Sequence, residues 1–143
     1  MQVTCRPAQP VDDAALEALR IRAREAVVDQ RGGAALLAEL DASASVGVPM
    51  VWCAAIDDVV VGYAEAVLRR DPVTVLVRAI WVDPDAREVG AGEALLSAVL
   101  AWGIAEEATA VDALALPGSR ELKNLFERMG LTTRLLTVRR ELG

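Results

Sequence analysis

The chain has 143 residues, 54% of them apolar and only 3% aromatic, with a formal net charge of −6 and a pI near 4.7. That is enough for one domain with one core, and it excludes a disordered chain. The acidic balance speaks against a phosphate-tracking nucleic-acid surface and against an anionic membrane surface, so neither partner is expected.

There is no histidine, which excludes a Ser-His-Asp triad, a Cys-His pair and every histidine-based metal site; no metal is expected. No apolar run reaches membrane-spanning length. The N-terminal "MQVTCRPAQP" lacks the basic and apolar regions of a secretion signal, so a cytoplasmic location is expected. Cys5 and Cys53 lie among apolar strand residues and read as buried thiols.

In chain order, "VTCRP" (3–7) reads as a short strand. Asp12 and Asp13 are placed to cap a helix, and Leu16, Leu19, Ala23, Ala26 and Val27 form its apolar stripe. "RGG" (31–33) breaks that helix, "AALLAELDA" (34–42) makes a second, and 43–49 is loop. "MVWCAAI" (50–56) and "VVVGYAEAVL" (59–68) are strands joined by a tight Asp57-Asp58 turn, hence a hairpin. After a turn at Arg70 to Pro72, "VTVLVRAIWV" (73–82) is a third long strand, apolar almost throughout and therefore central.

A helix from about Gly92 to Glu107 follows, with Leu95, Leu96, Val99, Leu100 and Ile104 as its buried stripe. "VDALAL" (111–116) is the next strand, which makes a parallel, right-handed crossover. "PGSRELKNLFERMG" (117–130) is a second late helix with Leu122, Leu125, Phe126 and Met129 on one face. Gly130 is its left-handed cap and Leu131 folds back over it. "TTRLLTVRREL" (132–142) reads as a closing strand. The order is β-α-α-β-β-β-α-β-α-β, an α/β chain with a mixed (α+β) sheet and helices on both faces.

The seam "AREVGAGEALL" (86–96) carries two glycines between the central strand and a helix. First-turn amides of a helix lack partners and sit in the positive end of its dipole. Removing two Cβ atoms opens those amides to an anion, and Arg87 adds a formal charge: a phosphate cradle. An ordinary strand-to-helix turn is the alternative. A Rossmann fingerprint fails, because Leu95 stands at the third glycine position and only one parallel crossover is readable.

"AIWVDPDAREVGAGEALLSAVL" (79–100) resembles the acyl-CoA-binding block of the GNAT superfamily of N-acyltransferases, and "LFERMGL" (125–131) resembles that family's second block. The resemblance implies a single GNAT-like domain over residues 1–143, with its central strands splayed. It implies acetyl-CoA as acyl donor, its pantetheine along the backbone of Ile80, Trp81 and Val82, and its diphosphate on Arg87, Glu88, Val89, Gly90, Ala91, Gly92 and Glu93. The implied activity is acetyl transfer to the amine of an unidentified acceptor.

The catalytic residues depart from the family's pattern. Phe126 stands where many members have a tyrosine that protonates the leaving thiolate, and Ser119 stands where many have an asparagine. Early in the central strand no carboxylate is present. Glu65, Tyr63 and Ser119 are the remaining candidates, with Asp83 and Asp85 nearby; Glu65 could equally face solvent, and Ser119 could be a plain helix cap. A catalytically weak or inactive acyl-CoA-binding or protein-interaction module is the alternative function. The acidic net charge favours a cationic acceptor. A homodimer is expected from the last strand, which has no obvious partner in one chain.

Overall fold

Apolar runs of period two and helices with one apolar stripe make a single sheet covered on both faces. The computed structural model describes residues 2–42, 47–87 and 90–143. Its strands are β1 (Val3–Pro7), β2 (Met50–Ile56), β3 (Val59–Arg69), β4 (Thr74–Val82) and β5 (Val111–Ala113), and they lie side by side in that order. The helices are α1 (Asp13–Val28), α2 (Gly33–Ala42), α3 (Ala91–Ala105) and α4 (Arg120–Arg128), with 3-10 turns at Pro10–Asp12 and Pro84–Ala86. β1 to β4 are antiparallel neighbours, and β5 returns parallel to β4 after the crossover through α3. The expected α/β class with a mixed sheet is what forms.

One face of the sheet packs on α3. Leu95, Leu96 and Val99 are wholly buried there against Ala64, Ala66, Val75 and Val77, and Leu125 and Phe126 of α4 close the cluster. The other face packs on α1, where Leu16, Leu19 and Ala23 meet Cys53 and Tyr63. Both thiols are free; Cys53 is buried and Cys5 half-buried. The α3 stripe continues to Gly103 and not, as the spacing suggested, to Ile104, which is 77% exposed. Leu95 to Ile104 is about two and a half helical turns, so Ile104 points the opposite way. At Gly103 a Cβ would come within 3.2 Å of Val75 and 3.4 Å of Val111, so a side chain there would need the two valines to give way.

Local chemistry sets the boundaries. Asp57 and Asp58 both take positive φ, +50° and +64°, the geometry of a two-residue hairpin turn that follows the twist of its strands. Gly130 ends α4 at φ +87°; its amide bonds Glu127 O at 3.1 Å and that of Leu131 bonds Phe126 O at 2.8 Å, the paired bonds of a Schellman cap. Two expectations change. The strand read over 111–116 stops at Ala113. Residues 132–143 form no strand, and Leu135, Leu136, Val138 and Leu142 are all more than two-thirds exposed. A strand exists only through its neighbour's hydrogen bonds, and three-residue β5 gives the last segment little edge to pair with.

Asp12 does not cap α1 with its side chain. Its carboxylate accepts from the Gln9 amide at 2.8 Å, closing the 3-10 turn, and from Arg6 at 2.7 and 2.8 Å. This ties the start of α1 to β1. The Arg6 guanidinium, and next the Gln9 amide, hold the Asp12 carboxyl well below the usual carboxylate range. A depressed folded pKa stabilises above the unfolded value and that stabilisation is lost as the pH falls through the folded one. Asp12→Asn should therefore lower the Tm at neutral pH, and the gap to the wild type should narrow below about pH 4 in thermal melts across pH. A gap that stays constant into acid would show that the pair does not carry it.

Candidate active site

β4 loses its outer neighbour halfway along. Pairing with β5 stops at Val77, opposite Ala113, while pairing with β3 runs on to Val82. From residue 79 to 82 the outer edge of β4 therefore has no strand partner among the described residues. Antiparallel strands alternate the direction of their amides. Asp83 N donates to Val61 O at 2.7 Å, and Trp81 O lies 2.9 Å from the place of a Cβ on Gly62. The main chain of Trp81 is thus turned to β3, whereas that of Ile80 and Val82 is turned to the open edge. Val82 O accepts there from Arg87 Nε at 3.0 Å.

The open edge leads to the start of α3. Gly90 precedes the helix at φ +84°, and a Cβ there would meet nothing within 4 Å. Gly92 serves packing instead, since its Cβ would come 3.1 Å from Leu125 Cδ2 and its bareness lets α4 sit on α3. The two glycines of the motif thus split into an open position and a packing position. The Glu93 carboxylate is held below its ordinary range by Arg128, which donates to it at 2.6 Å, and by its own amide. Arg87 donates to Glu121 at 2.8 Å and sits 5.9 Å from the Trp81 ring centre. Glu88 and Val89 lie outside the described residues. Both arginine pairs are solvent-exposed, a class of ion pair that exchanges at little cost. Nothing in the sequence pointed to Arg128.

On the other face of β4 lies a cavity of about 160 Å³ between α1, α2 and the approach to α4. Tyr63, Glu65 and Ser119, the three candidates for acid-base work, all line it, with Phe126 beside them. Glu65 does not face bulk solvent: its side chain is 21% exposed, with Arg20 at 3.5 Å and Arg78 at 3.8 Å. Tyr63 is buried, and burial first, then the Glu65 charge, push its phenol up to about 12. It therefore keeps its proton at neutral pH. Ser119 stands at the cap position of α4 but does not cap; its hydroxyl donates to Gln30 Oε1 at 2.6 Å. Phe126 is a buried ring with no proton to give. Asp83 is engaged by Arg22 at 2.7 Å, and neither it nor Asp85 lines the cavity. Among the described residues no group of three His, Cys, Asp or Glu could hold a metal ion.

A strand edge opened beside a helix start, with a cavity behind it, invites comparison with known proteins. The sequence model of the Acetyltransferase (GNAT) family matches residues 14–131. The chain belongs to this family. No curated protein matches it in sequence, but solved structures share its fold. A tetramutant of the BH1408 protein of Bacillus halodurans superposes with a TM-score of 0.80 at 18% identity, covering 97% of this chain and 99% of its own. The aminoglycoside N-acetyltransferase AAC(6′)-Iy, solved with a bisubstrate analogue of CoA and acetylneamine, gives 0.72 at 19% identity over 99% and 100%. An aminoglycoside acetyltransferase from an uncultured soil metagenomic sample gives 0.72 at 17% over the full length of both.

Within this GNAT chain the glycine assignments are separable. Gly92→Val should lower stability by about 1–3 kcal/mol through overpacking against Leu125. Gly90→Asn, whose side chain tolerates positive φ and meets open space, should leave the Tm near the wild type. Denaturant melts of the two variants check this; equal losses would contradict the split. Tyr63 is the single tyrosine, so an ultraviolet titration should show no phenolate below about pH 11 while the fold persists.

Proposed function

We propose that this GNAT domain transfers the acetyl group of acetyl-CoA to the amine of a small acceptor held in the cavity behind β4. The observation that carries this reading is the half-paired β4: its unmatched edge runs from the open glycine at α3 to the cavity that holds Glu65. The outward main chain of Ile80 and Val82 suits the amides of a pantetheine arm. Amides from Arg87 through Glu88, Val89, Gly90, Ala91, Gly92 and Glu93 suit a diphosphate, with the Arg87 and Arg128 side chains exchanging their carboxylate partners for it. Acetyl-CoA supplies a thioester, whose carbonyl an amine can attack once it has lost its proton.

Of the two carboxylates that line the cavity, Asp41 is held by Arg24, and Glu65 takes that proton, directly or through water. The amine nitrogen then bonds to the acetyl carbon, the carbon–sulfur bond breaks, and the sulfur takes a proton from Tyr63, Ser119 or water. Positioning supplies most of the rate in such a site. Phe126 in place of a phenol, and a Ser119 hydroxyl already committed to Gln30, favour a second reading in which acyl-CoA is bound without turnover.

Isothermal titration should show acetyl-CoA binding that Gly90→Asn weakens without a loss of Tm. Thiol release across a broad amine panel should show turnover, and Glu65→Gln should lower kcat/KM by roughly 10²- to 10⁴-fold with acetyl-CoA affinity unchanged. Binding without thiol release from any amine would select the second reading. Indifference to both acetyl-CoA and CoA would remove both.

A further inference from the structure

β4 carries one residue more than β3 can match. Glu65 faces Ala79 and Ala66 faces Val77, so Arg78 is unpaired, a β-bulge. The extra residue shifts the two-residue period. Val75 and Val77 face α3, and so, after the bulge, do Ile80 and Val82. Arg78 and Ala79 both line the cavity on the opposite face. Arg78 arrives there with only 9% of its side chain exposed. Its Nη2 donates to Leu40 O at 2.7 Å, while its buried Nε has no hydrogen-bond partner among the described residues; Glu65 Oε2, at 3.8 Å, is an ion-pair neighbour beyond hydrogen-bond reach. A buried guanidinium with an idle donor is costly unless something satisfies it.

The charge around it is local and unlike that of the whole chain. Arg20, Arg24 and Arg78 line the cavity with Glu65 and Asp41. Arg24 and Asp41 satisfy each other through two bonds, 3.2 and 2.9 Å. That leaves two arginines sharing Glu65, an excess of one positive charge. A polycationic acceptor would meet repulsion here, and an anionic group would be welcome. The remaining wall is apolar, with Leu36, Leu37, Leu116, Leu122 and Phe126.

We infer that the acceptor carries a carboxylate beside its amine on an apolar body, an apolar α-amino acid or a near analogue, and that Arg78 binds the carboxylate. Adjacent opposite charges on such a molecule match the adjacent Arg78 and Glu65, and a guanidinium holds a carboxylate through two parallel bonds. The cavity, about 160 Å³, is below the roughly 300–1,000 Å³ of drug-sized sites, which suits a single amino acid. The acetylation of this molecule rests on the function proposed above; its binding does not.

L-leucine, L-leucinamide and isoamylamine test this as a series, the last two lacking the carboxylate. Calorimetry on the protein alone should show leucine binding roughly 10- to 100-fold tighter than either analogue. Arg78→Gln should erase that preference, and Arg78→Lys should restore part of it at an unchanged Tm. With acetyl-CoA present, Arg78→Gln should raise the leucine KM and shrink the ratio of kcat/KM for leucine over isoamylamine. Leucinamide or isoamylamine binding as well as leucine would overturn the inference, as would a preference that survives Arg78→Gln. Leucine binding with the expected Arg78 dependence, in protein that ignores acetyl-CoA, would sustain the inference and remove the acetyl transfer reading.

Discussion

The architecture turns on one hydrogen-bonding demand, that of the outer edge of β4 beyond Val77, which has no strand partner among the described residues. A sheet interior normally satisfies every amide of a central strand, and leaving several open is a cost that only a ligand, solvent or a side chain can offset. Here Arg87 answers one carbonyl, that of Val82. The same divergence that opens the edge also sends Leu114 and Leu116 away from the sheet and into the wall of the cavity. One separation of strands therefore makes both halves of the site.

Arginine organises the rest. Arg87 and Arg128 flank the glycine end of α3, each held by an exposed carboxylate. Arg20 and Arg78 flank Glu65 inside the cavity, and Arg20 also lies 5.8 Å from the Tyr63 ring centre. The chain is acidic as a whole, with a net charge of −6, yet the cavity end of the site holds one positive charge in excess, and the glycine end balances Arg87 and Arg128 with Glu121 and Glu93. Net charge governs long-range steering and solubility, whereas recognition depends on the few charges that face the ligand.

Most of the fold was legible because its signals are local. The Asp57-Asp58 turn, the Gly130 cap and the stripe of Leu95, Leu96 and Val99 each follow from residues within one turn or hairpin. The candidates Tyr63, Glu65 and Ser119 share a cavity, which their sequence spacing alone could not show for Ser119. What escaped depends on contacts between distant segments. Gly92 reads like an anion-site glycine until Leu125, thirty-odd residues on, is seen above it. Ile104 looks buried until Gly103 is found pressed on Val75 and Val111. The strand over 132–142 has the right composition but no edge to pair with. Arg78 was invisible because a β-bulge in an apolar run leaves no mark on the pattern.

That bulge also leaves the protein free to change in one particular way. With residue 78 deleted, Ala79 would follow Val77 directly and still face Glu65, so β4 would regain strict alternation against β3 with Ile80 and Val82 still in the α3 core and only the Arg78 side chain lost. The open edge would still present the main chain of Ile80 and Val82. Acceptor recognition and coenzyme alignment are therefore uncoupled at this residue, and descendants of this chain can gain or lose the buried cation without re-registering the strand.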